Sequence, residues 1–466
     1  MFTLDKKCSV PLYEQLYEQL KQQILSGNMA AGKRLPSTRE LASEYKLSRN
    51  TVIGAYQQLE VEGYIKPITG SGYYVEKLTS FKAESPKSYI FPAATEQSKQ
   101  SYDYTFAYGD LDYNCYSSKA WRKCLLNAYD RFASQKSVVY EEPQGFFNLR
   151  QILSGYLYQS RGVKCSARQI IFTSGHQQSM HIIASLFSNA DWGFAMENPG
   201  YSGTRQVMEQ NHFHITPIPV EADGISVHAV QPLFHTLLCV TPSHQFPLGS
   251  VLPISKRLQL LEWTKKNDGY IIEDDYDSEL RYHNRPIPSL QSIDSSNRTI
   301  YLGTFSKSLS PDLRIAYVVL PEHILPSYRE KYLYANCTVP ALLQLTLAEY
   351  IESGEYQRHI NTMRTHYRKK HDYIRNYVKE TLAGKAVLIG EDAGLHFVIS
   401  VRTKQTQKEL IEQFAQNKIR IYPTELFWAD KTLCPQNQLL LGFSAIPLTQ
   451  LPKAMKKLSE VIESIV

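Results

Sequence analysis

Four places in the chain carry side chains that together could hold an aldehyde cofactor. Lys307 ends the segment Gly303-Thr304-Phe305-Ser306-Lys307, which follows an apolar run, and Arg314 comes seven residues later. Asp274 follows a second apolar run, and the turn Ser174-Gly175-His176 follows a third. A desolvated amine can form a Schiff base, a carboxylate can keep a pyridine nitrogen protonated, and an arginine with backbone N–H groups can bind a phosphate. Pyridoxal phosphate requires this combination.

The elements that must position these residues are short apolar strands separated by helical stretches. From residue 104 onward, the strand candidates are Gln169–Thr173, Gly193–Glu197, Thr236–Thr241, Gly269–Glu273, Thr299–Leu302 and Ile315–Leu320. Apolar strands that alternate with helices predict an α/β fold with a mostly parallel central sheet.

Each candidate residue alone is weak evidence, because lysines and aspartates at strand ends are usually solvated surface charges. Their joint occurrence is stronger, because each follows its own apolar run and the carboxyl ends of parallel strands form the binding edge of such a sheet. Asp275, directly after Asp274, is an alternative partner for the pyridine nitrogen. The spacing from Lys307 favours Asp274.

Five segments resemble the fold-type I aminotransferase domain: TSGHQQSM (173–180), ENPGYSGTR (197–205), TPSHQFPLG (241–249), IIEDDYDSELRY (271–282) and GTFSKSLSPDLRIAY (303–317). The resemblance implies a pyridoxal-phosphate-dependent transferase fold with a smaller C-terminal α+β subdomain. It also implies a Schiff base on Lys307, a pyridine-nitrogen partner in Asp274, a ring-hydroxyl partner in Tyr276 and a stacking ring in Tyr201.

The same resemblance implies a binding site for the cofactor phosphate, formed by Ser174, Gly175, His176, Thr304, Ser306 and Arg314. Tyr140, in YEEPQGFFNLR, matches a tyrosine that in the family's dimers reaches the phosphate bound to the partner subunit. A homodimer is therefore expected.

Two departures from working aminotransferases bear on activity. The motif Phe246-Pro247-Leu248-Gly249 has phenylalanine where those enzymes usually have an asparagine that contacts the ring hydroxyl. The stretch 438–444 lacks the arginine with which they bind the substrate carboxylate, and leucine cannot replace that charge-assisted pair. We therefore expect at most residual transaminase activity. The candidate effector-binding residues are Arg205, His244, Gln245 and His396, and a structural role for each is an open alternative.

The first 77 residues carry the pattern of a small helical unit with a hairpin. Apolar residues recur every four positions from Leu12 to Ile24 and predict a first helix. Ser37 and Glu40 have the spacing of a capping box that begins a second helix, and Ser48 caps a third. Two short strands around a glycine-rich turn follow, so the unit is predicted to be a winged helix-turn-helix.

The string GKRLPSTRELASEYKLSRNTVIGAYQQLEVEGYIKPITGSGYYV closely resembles the DNA-binding head of the GntR family of bacterial repressors. The resemblance implies binding of duplex promoter DNA through Ser37, Arg39, Ser48, Arg49, Asn50, Thr51, Gly70 and Gly72. The family often has an arginine just before the wing glycines, whereas Pro67-Ile68-Thr69 stands here. Whether the wing contacts DNA therefore stays open.

Length and composition exclude several classes of protein. The chain has 466 residues, which is too long for one small module, and 43% hydrophobic against 21% charged residues excludes general disorder. The net charge of +6 permits a contact with nucleic acid without establishing one. No apolar run approaches the ~18 residues of a membrane span. The seven cysteines are scattered and form no Cys-x-x-Cys pair, which predicts a cytoplasmic protein without a disulfide scaffold. No carboxylate or cysteine completes a metal site with the histidines, so no bound metal is predicted.

A polar segment that contains Pro86 and Pro92, residues 78–103, predicts a linker between domains at 1–77 and 104–466. Taken together, the chain resembles the MocR subfamily of GntR regulators across nearly its whole length. This resemblance implies a bacterial transcriptional regulator that senses a small amine, an amino acid or pyridoxal phosphate itself. The alternative, from another class of protein, is an active aminotransferase that carries a DNA-binding domain.

Overall fold

The computed structural model describes residues 2–5, 8, 10–78, 101–112, 118–134, 142–188, 191–283, 287–391 and 393–466. The chain divides into two compact units, Met1–Lys99 and Gln100–Val466, which are called the head and the body below. The boundary between them lies within the segment 78–103, of which residues 79–100 lie outside the described residues.

The head consists of three helices and a hairpin, so the predicted winged helix-turn-helix is confirmed. Its elements are α1 (Leu12–Leu25), α2 (Thr38–Glu44), α3 (Arg49–Val61), β1 (Ile65–Ile68) and β2 (Gly72–Val75). The predicted capping box is present, because the Glu40 N–H donates to Ser37 Oγ at 3.2 Å and the Ser37 N–H donates to Glu40 Oε2 at 2.7 Å. Ser48 caps α3 by accepting the Thr51 N–H at 3.1 Å.

The head is held together by the facing apolar sides of α1 and α3. Leu16, Leu20 and Ile24 of α1 are buried against the side of α3 formed by Val52, Ala55, Tyr56 and Leu59. Fully burying a side chain of this size contributes roughly 1.5–3 kcal/mol. The four-residue spacing that predicts α1 therefore also marks its buried face.

The body contains a large sheet, a smaller sheet and one short parallel pair. Its described strands are β3 (Tyr104–Thr105), β4 (Ile170–Thr173), β5 (Gly193–Asn198), β6 (Ile215–Glu221), β7 (Gly224–Ile225), β8 (Thr236–Val240), β9 (Tyr270–Asp275), β10 (Thr299–Thr304), β11 (Ala316–Val319), β12 (Ala386–Ile389), β13 (His396–Val401), β14 (Ile419–Arg420), β15 (Tyr422–Pro423) and β16 (Gln438–Gly442).

The helices of the body, within the described residues, lie between these strands. They are α4 (Ser118–Ala133), α5 (Phe147–Arg161), α6 (His176–Phe187), α7 (Ser202–Gln210), α8 (Val227–Val230), α9 (Ile254–Lys266), α10 (Leu290–Ile293), α11 (Leu325–Lys331), α12 (Ala341–Glu352), α13 (Glu355–Thr381), α14 (Gln407–Gln416) and α15 (Leu451–Ile465). No described helix is both long and apolar enough to cross a membrane.

The large sheet has the strand order β4-β11-β10-β9-β8-β5-β6-β7. Neighbours from β10 to β6 pair in parallel, whereas β11 runs antiparallel to both of its neighbours and β7 antiparallel to β6. Successive residues of β8 face opposite sides, so that Leu237 packs in the cluster of α6 and Leu238 in the cluster of α9. Burial on both faces explains the continuous apolar strands, and the predicted mostly parallel α/β sheet is confirmed.

The prediction missed β6, whose sequence ITPIPVE contains two prolines. Pro217 and Pro219 lack backbone N–H groups, which argues against a central strand. β6 tolerates them because it pairs fully only with β5, while β7 covers only Val220 and Glu221 on its other side. The strand therefore needs few hydrogen-bond donors along that edge.

The smaller sheet has the antiparallel order β12-β13-β16-β15 and forms the C-terminal part of the body. Its buried residues pack with those of α13, α14 and α15, for example Phe397 with Ile374, Leu410 and Leu458. This part is the predicted smaller α+β subdomain. The chain enters it through β3, which pairs in parallel with β14.

Candidate functional site

A cavity of about 370 Å³ opens beside the carboxyl ends of β9 and β10. This volume lies in the range of small-molecule sites. Most of the predicted cofactor residues line the cavity, namely Lys307, Asp274, Tyr276, Tyr201, His176, Thr304, Ser306 and Arg314. They come from separate segments of the chain because parallel strands end at one edge of the sheet. Tyr140 lies outside the described residues.

The Lys307 side chain reaches into this cavity just after β10. Its Nζ lies 4.2 Å from the centroid of the Tyr108 ring, and it makes no hydrogen bond or ion pair with any described residue. Loss of hydration lowers the pKa of Lys307 to about 8, although the negative charges of Asp277 and Asp110 favour the protonated form. A sizeable fraction of the amine is therefore neutral near pH 8 and can attack an aldehyde.

Asp274 and Asp275 lie inside β9, which ends two residues beyond the predicted end of this strand. Because strand residues alternate between faces, the two carboxylates point in opposite directions. Asp275 Oδ2 accepts a hydrogen bond from Arg161 Nε at 2.7 Å and another from the Tyr301 hydroxyl. Asp274 instead lines the cavity, with Oδ2 3.6 Å from His176 Nδ1. Of the two aspartates that the sequence left as alternatives, Asp274 lines the cavity and Asp275 does not.

The Asp274 carboxylate is 7% exposed, and burial raises its pKa. The charge of His176 opposes this effect. A buried carboxylate is costly unless a cationic donor lies against it. A protonated pyridine nitrogen is such a donor, so this observation fits pyridoxal phosphate.

A second feature that fits the cofactor is the turn before α6. Gly175 has φ +121°, and a Cβ placed on it would lie 2.2 Å from Arg314 Nη2. The backbone therefore approaches a guanidinium group at the N-terminus of a twelve-residue helix, where free N–H groups favour an anion. Ser306 and Thr304 hold the adjoining turn, since the Ser306 N–H donates to Thr304 Oγ1 at 3.1 Å. This combination suits a phosphate group.

Ser174 differs from the rest of the predicted phosphate site. Its N–H and its hydroxyl both donate to Gln178 Oε1, at 2.6 and 3.0 Å. The side chain thus stabilises the first turn of α6, and it is not among the residues that line the cavity.

Tyr276 is part of a buried polar chain. Its hydroxyl lies 2.9 Å from His244 Nδ1, which lies 2.8 Å from Asp277 Oδ2. His244 and Asp277 are both buried. Tyr201 also lines the cavity, and its ring meets that of His176 edge to face at a centroid distance of 5.6 Å.

The predicted effector-binding residues do not line the cavity. Gln245 Nε2 donates to the Pro199 and Phe246 carbonyls, and His396 Nε2 lies 3.1 Å from the Pro247 carbonyl, so both side chains hold loops in place. Arg205 is directed to the Leu426 carbonyl at 3.0 Å. His244 lies between Tyr276 and Asp277 in the buried polar chain described above.

The predicted DNA-binding residues lie on one part of the head. Arg49 and Asn50 are exposed at the start of α3, and Arg39 is exposed on α2. Ser37 and Ser48 cap these helices. Gly70 and Gly72 have left-handed φ values of +75° and +107° in the turn of the hairpin.

The sequence analysis missed one cation of this surface, Arg34. The segment before α2 pairs with β2, because the Leu35 N–H donates to the Tyr73 carbonyl at 2.9 Å. This pairing brings Arg34 to the hairpin, where a Cβ on Gly72 would lie 3.5 Å from Arg34 Nε. The wing lacks an arginine of its own before its glycines, and Arg34 supplies a cation there from outside the hairpin.

The sequence predicts no metal site. In the described chain, His283, His371 and Asp372 each bring one potential ligand atom within 4.8 Å of the others. Asp372 Oδ1 lies 2.9 Å from His283 Nε2 and 3.2 Å from His371 Nδ1, so hydrogen bonds to the carboxylate account for the cluster.

Comparison with known proteins gives two family matches. The model of the bacterial regulatory proteins of the gntR family matches residues 12–75, and that of aminotransferase class I and II matches residues 105–433. The second match implies that the body binds pyridoxal phosphate, which agrees with the chemistry of the cavity.

Relatives match along almost the whole chain. The uncharacterized HTH-type transcriptional regulator YdeL of Bacillus subtilis is 39% identical, over 98% of this chain and 97% of that protein. The probable rhizopine catabolism regulatory protein MocR of Rhizobium meliloti is 32% identical, over 98% and 94%. The pyridoxine biosynthesis regulator PdxR of Corynebacterium glutamicum is 28% identical, over 96% and 95%.

The fold also matches solved structures. A kynurenine aminotransferase from Pyrococcus horikoshii has a TM-score of 0.70 at 24% identity, over 77% of this chain and 90% of that chain. At this identity, the likeness establishes the fold alone.

Replacement of Gly175 by alanine tests the phosphate site. The new Cβ would displace the Arg314 guanidinium and strain a positive φ, so Gly175→Ala should weaken binding of pyridoxal phosphate by roughly 10- to 100-fold, the range of one or two charged hydrogen bonds. Absorbance titration of cofactor-free protein measures this. Gly155→Ala, where a Cβ in α5 meets nothing within 4 Å, is the matched control. Equal affinities of the two variants would contradict the assignment.

The pH dependence of cofactor capture tests the environment of Lys307. Only the neutral amine attacks the aldehyde, so the rate constant should rise with pH and level off above a midpoint of about 8. Stopped-flow absorbance with pyridoxal phosphate across pH 6–10 measures it. A rate that still rises tenfold per pH unit above pH 9 would show an ordinary exposed lysine instead.

Proposed function

The chain belongs to the gntR family of bacterial regulatory proteins, as one of the MocR-like members with an aminotransferase class I and II body, and we propose that this body senses a small molecule to control promoter binding by the head. The small molecule is a small amine, an amino acid or pyridoxal phosphate itself. The observation that carries the proposal is that the amine of Lys307, which pairs with no described residue, lies in one cavity with the buried carboxylate of Asp274.

Bound pyridoxal phosphate supplies an electrophilic carbon and an electron-withdrawing ring. Lys307 is the residue that would hold the cofactor, since it is the lysine in the cavity and its pKa lies near 8. Asp274 would accept a hydrogen bond from the protonated pyridine nitrogen. Arg314 and the backbone at Gly175 would bind the phosphate, and Tyr276 would donate to the ring hydroxyl. These four roles are proposals supported by the geometry of the cavity.

A regulator is favoured over an active aminotransferase by what lies around Phe246. The ring is 2% exposed and packs with the buried side chains of Val398, Phe427 and Leu440, the last of which belongs to β16. Among the described residues that line the cavity, the basic side chains are Lys307, Arg314 and His176, and all three are assigned to the cofactor rather than to a substrate carboxylate. The alternative of an active enzyme predicts sustained turnover with amino donors and keto acids, which is measured by product formation.

The head is proposed to bind duplex promoter DNA in its major groove. A helix-turn-helix places the N-terminus of its recognition helix against the base edges. Here that end of α3 carries exposed Arg49 and Asn50, and an arginine can donate two hydrogen bonds to guanine. Promoter DNA lies in the bacterial cytoplasm, so a cytoplasmic location is part of the proposal.

A homodimer is also part of the proposal, because two heads match two half-sites of an operator. Apolar side chains exposed on the body support self-association, and they include Leu126, Tyr129, Leu333 and Tyr334. Tyr334 is 94% exposed, which is unusual for a large aromatic ring. An effector can change DNA binding only if it binds one arrangement of the dimer more tightly than another.

Lys307→Ala tests the attachment of the cofactor. Borohydride reduction of the protein with pyridoxal phosphate should label the native chain covalently and leave the variant unlabelled, as read by intact mass. Binding of the variant to DNA should stay within about twofold, because the head folds on its own core. Covalent label retained at another lysine would refute the assignment.

Arg49→Ala tests the recognition helix. We expect roughly a 10-fold or larger loss of affinity for a duplex selected by the native protein from a random pool, since a good base contact contributes about 1–3 kcal/mol. Fluorescence anisotropy over a salt series measures the loss and its slope. Arg402→Ala, an exposed arginine of the body, is the control, and the cofactor spectrum of both variants should be unchanged. Equal affinities of the two variants at every salt concentration would contradict the assignment.

A further inference from the structure

The charges that line the cavity divide into those that the cofactor needs and one that it does not. This inference rests on the proposed function, in which Lys307 faces the aldehyde and Asp274 the pyridine nitrogen. Arg314 and the predicted phosphate-site residue His176 face the phosphate. Among the described residues, the one remaining charged side chain on the cavity lining is Asp110. For an effector, the described lining therefore leaves an anion and no cation that the cofactor does not use.

The backbone that carries Asp110 is held at both ends. The Ser444 hydroxyl donates to the Asp110 carbonyl, and the Gly442 N–H donates to the Phe106 carbonyl at 3.2 Å. Two residues beyond Asp110, the Asp112 carboxylate accepts from buried Lys370 Nζ at 2.7 Å. These contacts fix the position of the backbone at Asp110.

The Asp110 carboxylate itself is exposed and forms no ion pair within the described part of the chain. Asp110 lines the cavity together with Lys307, and its negative charge favours the protonated form of that amine. When Lys307 holds the cofactor, the Asp110 carboxylate can bind a cation from solution. A carboxylate and an alkylammonium group attract each other most where water is partly excluded.

The wall next to this carboxylate is apolar. The Tyr108 ring lies 4.9 Å from that of Phe246, which in turn lies 4.8 Å from that of Phe427, measured between centroids. A carboxylate of a ligand placed against the faces of these rings would lose hydration without gaining a charged hydrogen-bond donor. It would also be repelled by Asp110.

We propose that the cavity binds a primary amine that has no carboxylate beside the amino group and carries a second cationic group, the chemical class of short aliphatic diamines. The amino group faces Lys307 and the cofactor, the alkyl chain lies against Tyr108 and Phe246, and the second ammonium group binds Asp110. This narrows the proposed effector from amines and amino acids in general to dicationic amines.

A set of three compounds with one carbon skeleton tests this proposal. The holoprotein is titrated with 1,5-diaminopentane, with lysine, which adds a carboxylate, and with pentylamine, which lacks the second cation. Binding is read by calorimetry and by the absorbance of the bound cofactor. We expect 1,5-diaminopentane to bind at least 10-fold more tightly than either of the other two.

Variants of Asp110 then assign the contact. Asp110→Asn should remove the preference of the protein for 1,5-diaminopentane over pentylamine, whereas Glu412→Gln, an exposed acid on α14, should keep it. Asp110→Lys should reverse the preference, so that 5-aminopentanoate binds more tightly than 1,5-diaminopentane. Asp110→Lys keeps the test decisive if the asparagine of the first variant alters the conformation of the segment around residue 110.

The outcomes separate the two proposals. Lysine binding as tightly as 1,5-diaminopentane, or no binding by any of the three compounds, overturns the dicationic effector while the covalent cofactor on Lys307 remains. Loss of the preference in Glu412→Gln as well would also overturn the role of Asp110. Absence of cofactor absorbance and of a borohydride label on the native chain would instead contradict the proposed function itself.

Discussion

The body depends on one constraint, which is that the amine of Lys307 must lose its proton easily in a cavity that also contains carboxylates. Burial favours the neutral amine and brings its pKa to about 8, while Asp277 and Asp110 oppose this change. Two contacts limit the negative charge that faces Lys307. His244 lies 2.8 Å from the Asp277 carboxylate, and Asp275 points away to Arg161. Loss of either arrangement would leave more negative charge facing Lys307 and keep it protonated.

Local signals made much of the fold predictable. The capping box at Ser37 and the cap at Ser48 depend on residues three positions apart, which the sequence shows directly. The buried strands are visible in the sequence as apolar runs. Most of the predicted cofactor residues, Lys307 and Arg314 among them, line one cavity because they lie in segments next to the apolar strands. Strand ends were less accurate, since Asp274 continues the backbone pairing of β9 despite its charge.

The rest required contacts between distant segments. Asp275 is paired with Arg161, which lies more than a hundred positions away in the chain, whereas Asp274 is not. Gln245 looks like a ligand-binding residue in its motif, but its amide hydrogen bonds go to the Pro199 and Phe246 carbonyls. Arg34 reaches the wing only because the segment before α2 pairs with β2. Sequence spacing does not encode such partners, so these roles emerge from the structure alone.

The replacement of asparagine by Phe246 leaves Tyr276 as the proposed partner of the cofactor's ring hydroxyl. Its hydroxyl and Asp277 compete for one nitrogen, His244 Nδ1, at 2.9 and 2.8 Å. A carboxylate is the stronger acceptor, so the imidazole proton goes to Asp277 and Tyr276 keeps its own proton for the cofactor. Burial, which raises the pKa of Tyr276 well above its usual value, also keeps it a donor. The described lining of the cavity therefore keeps the residues proposed to hold the cofactor and offers no further cation to an amino acid carboxylate. That separation favours recognition over turnover.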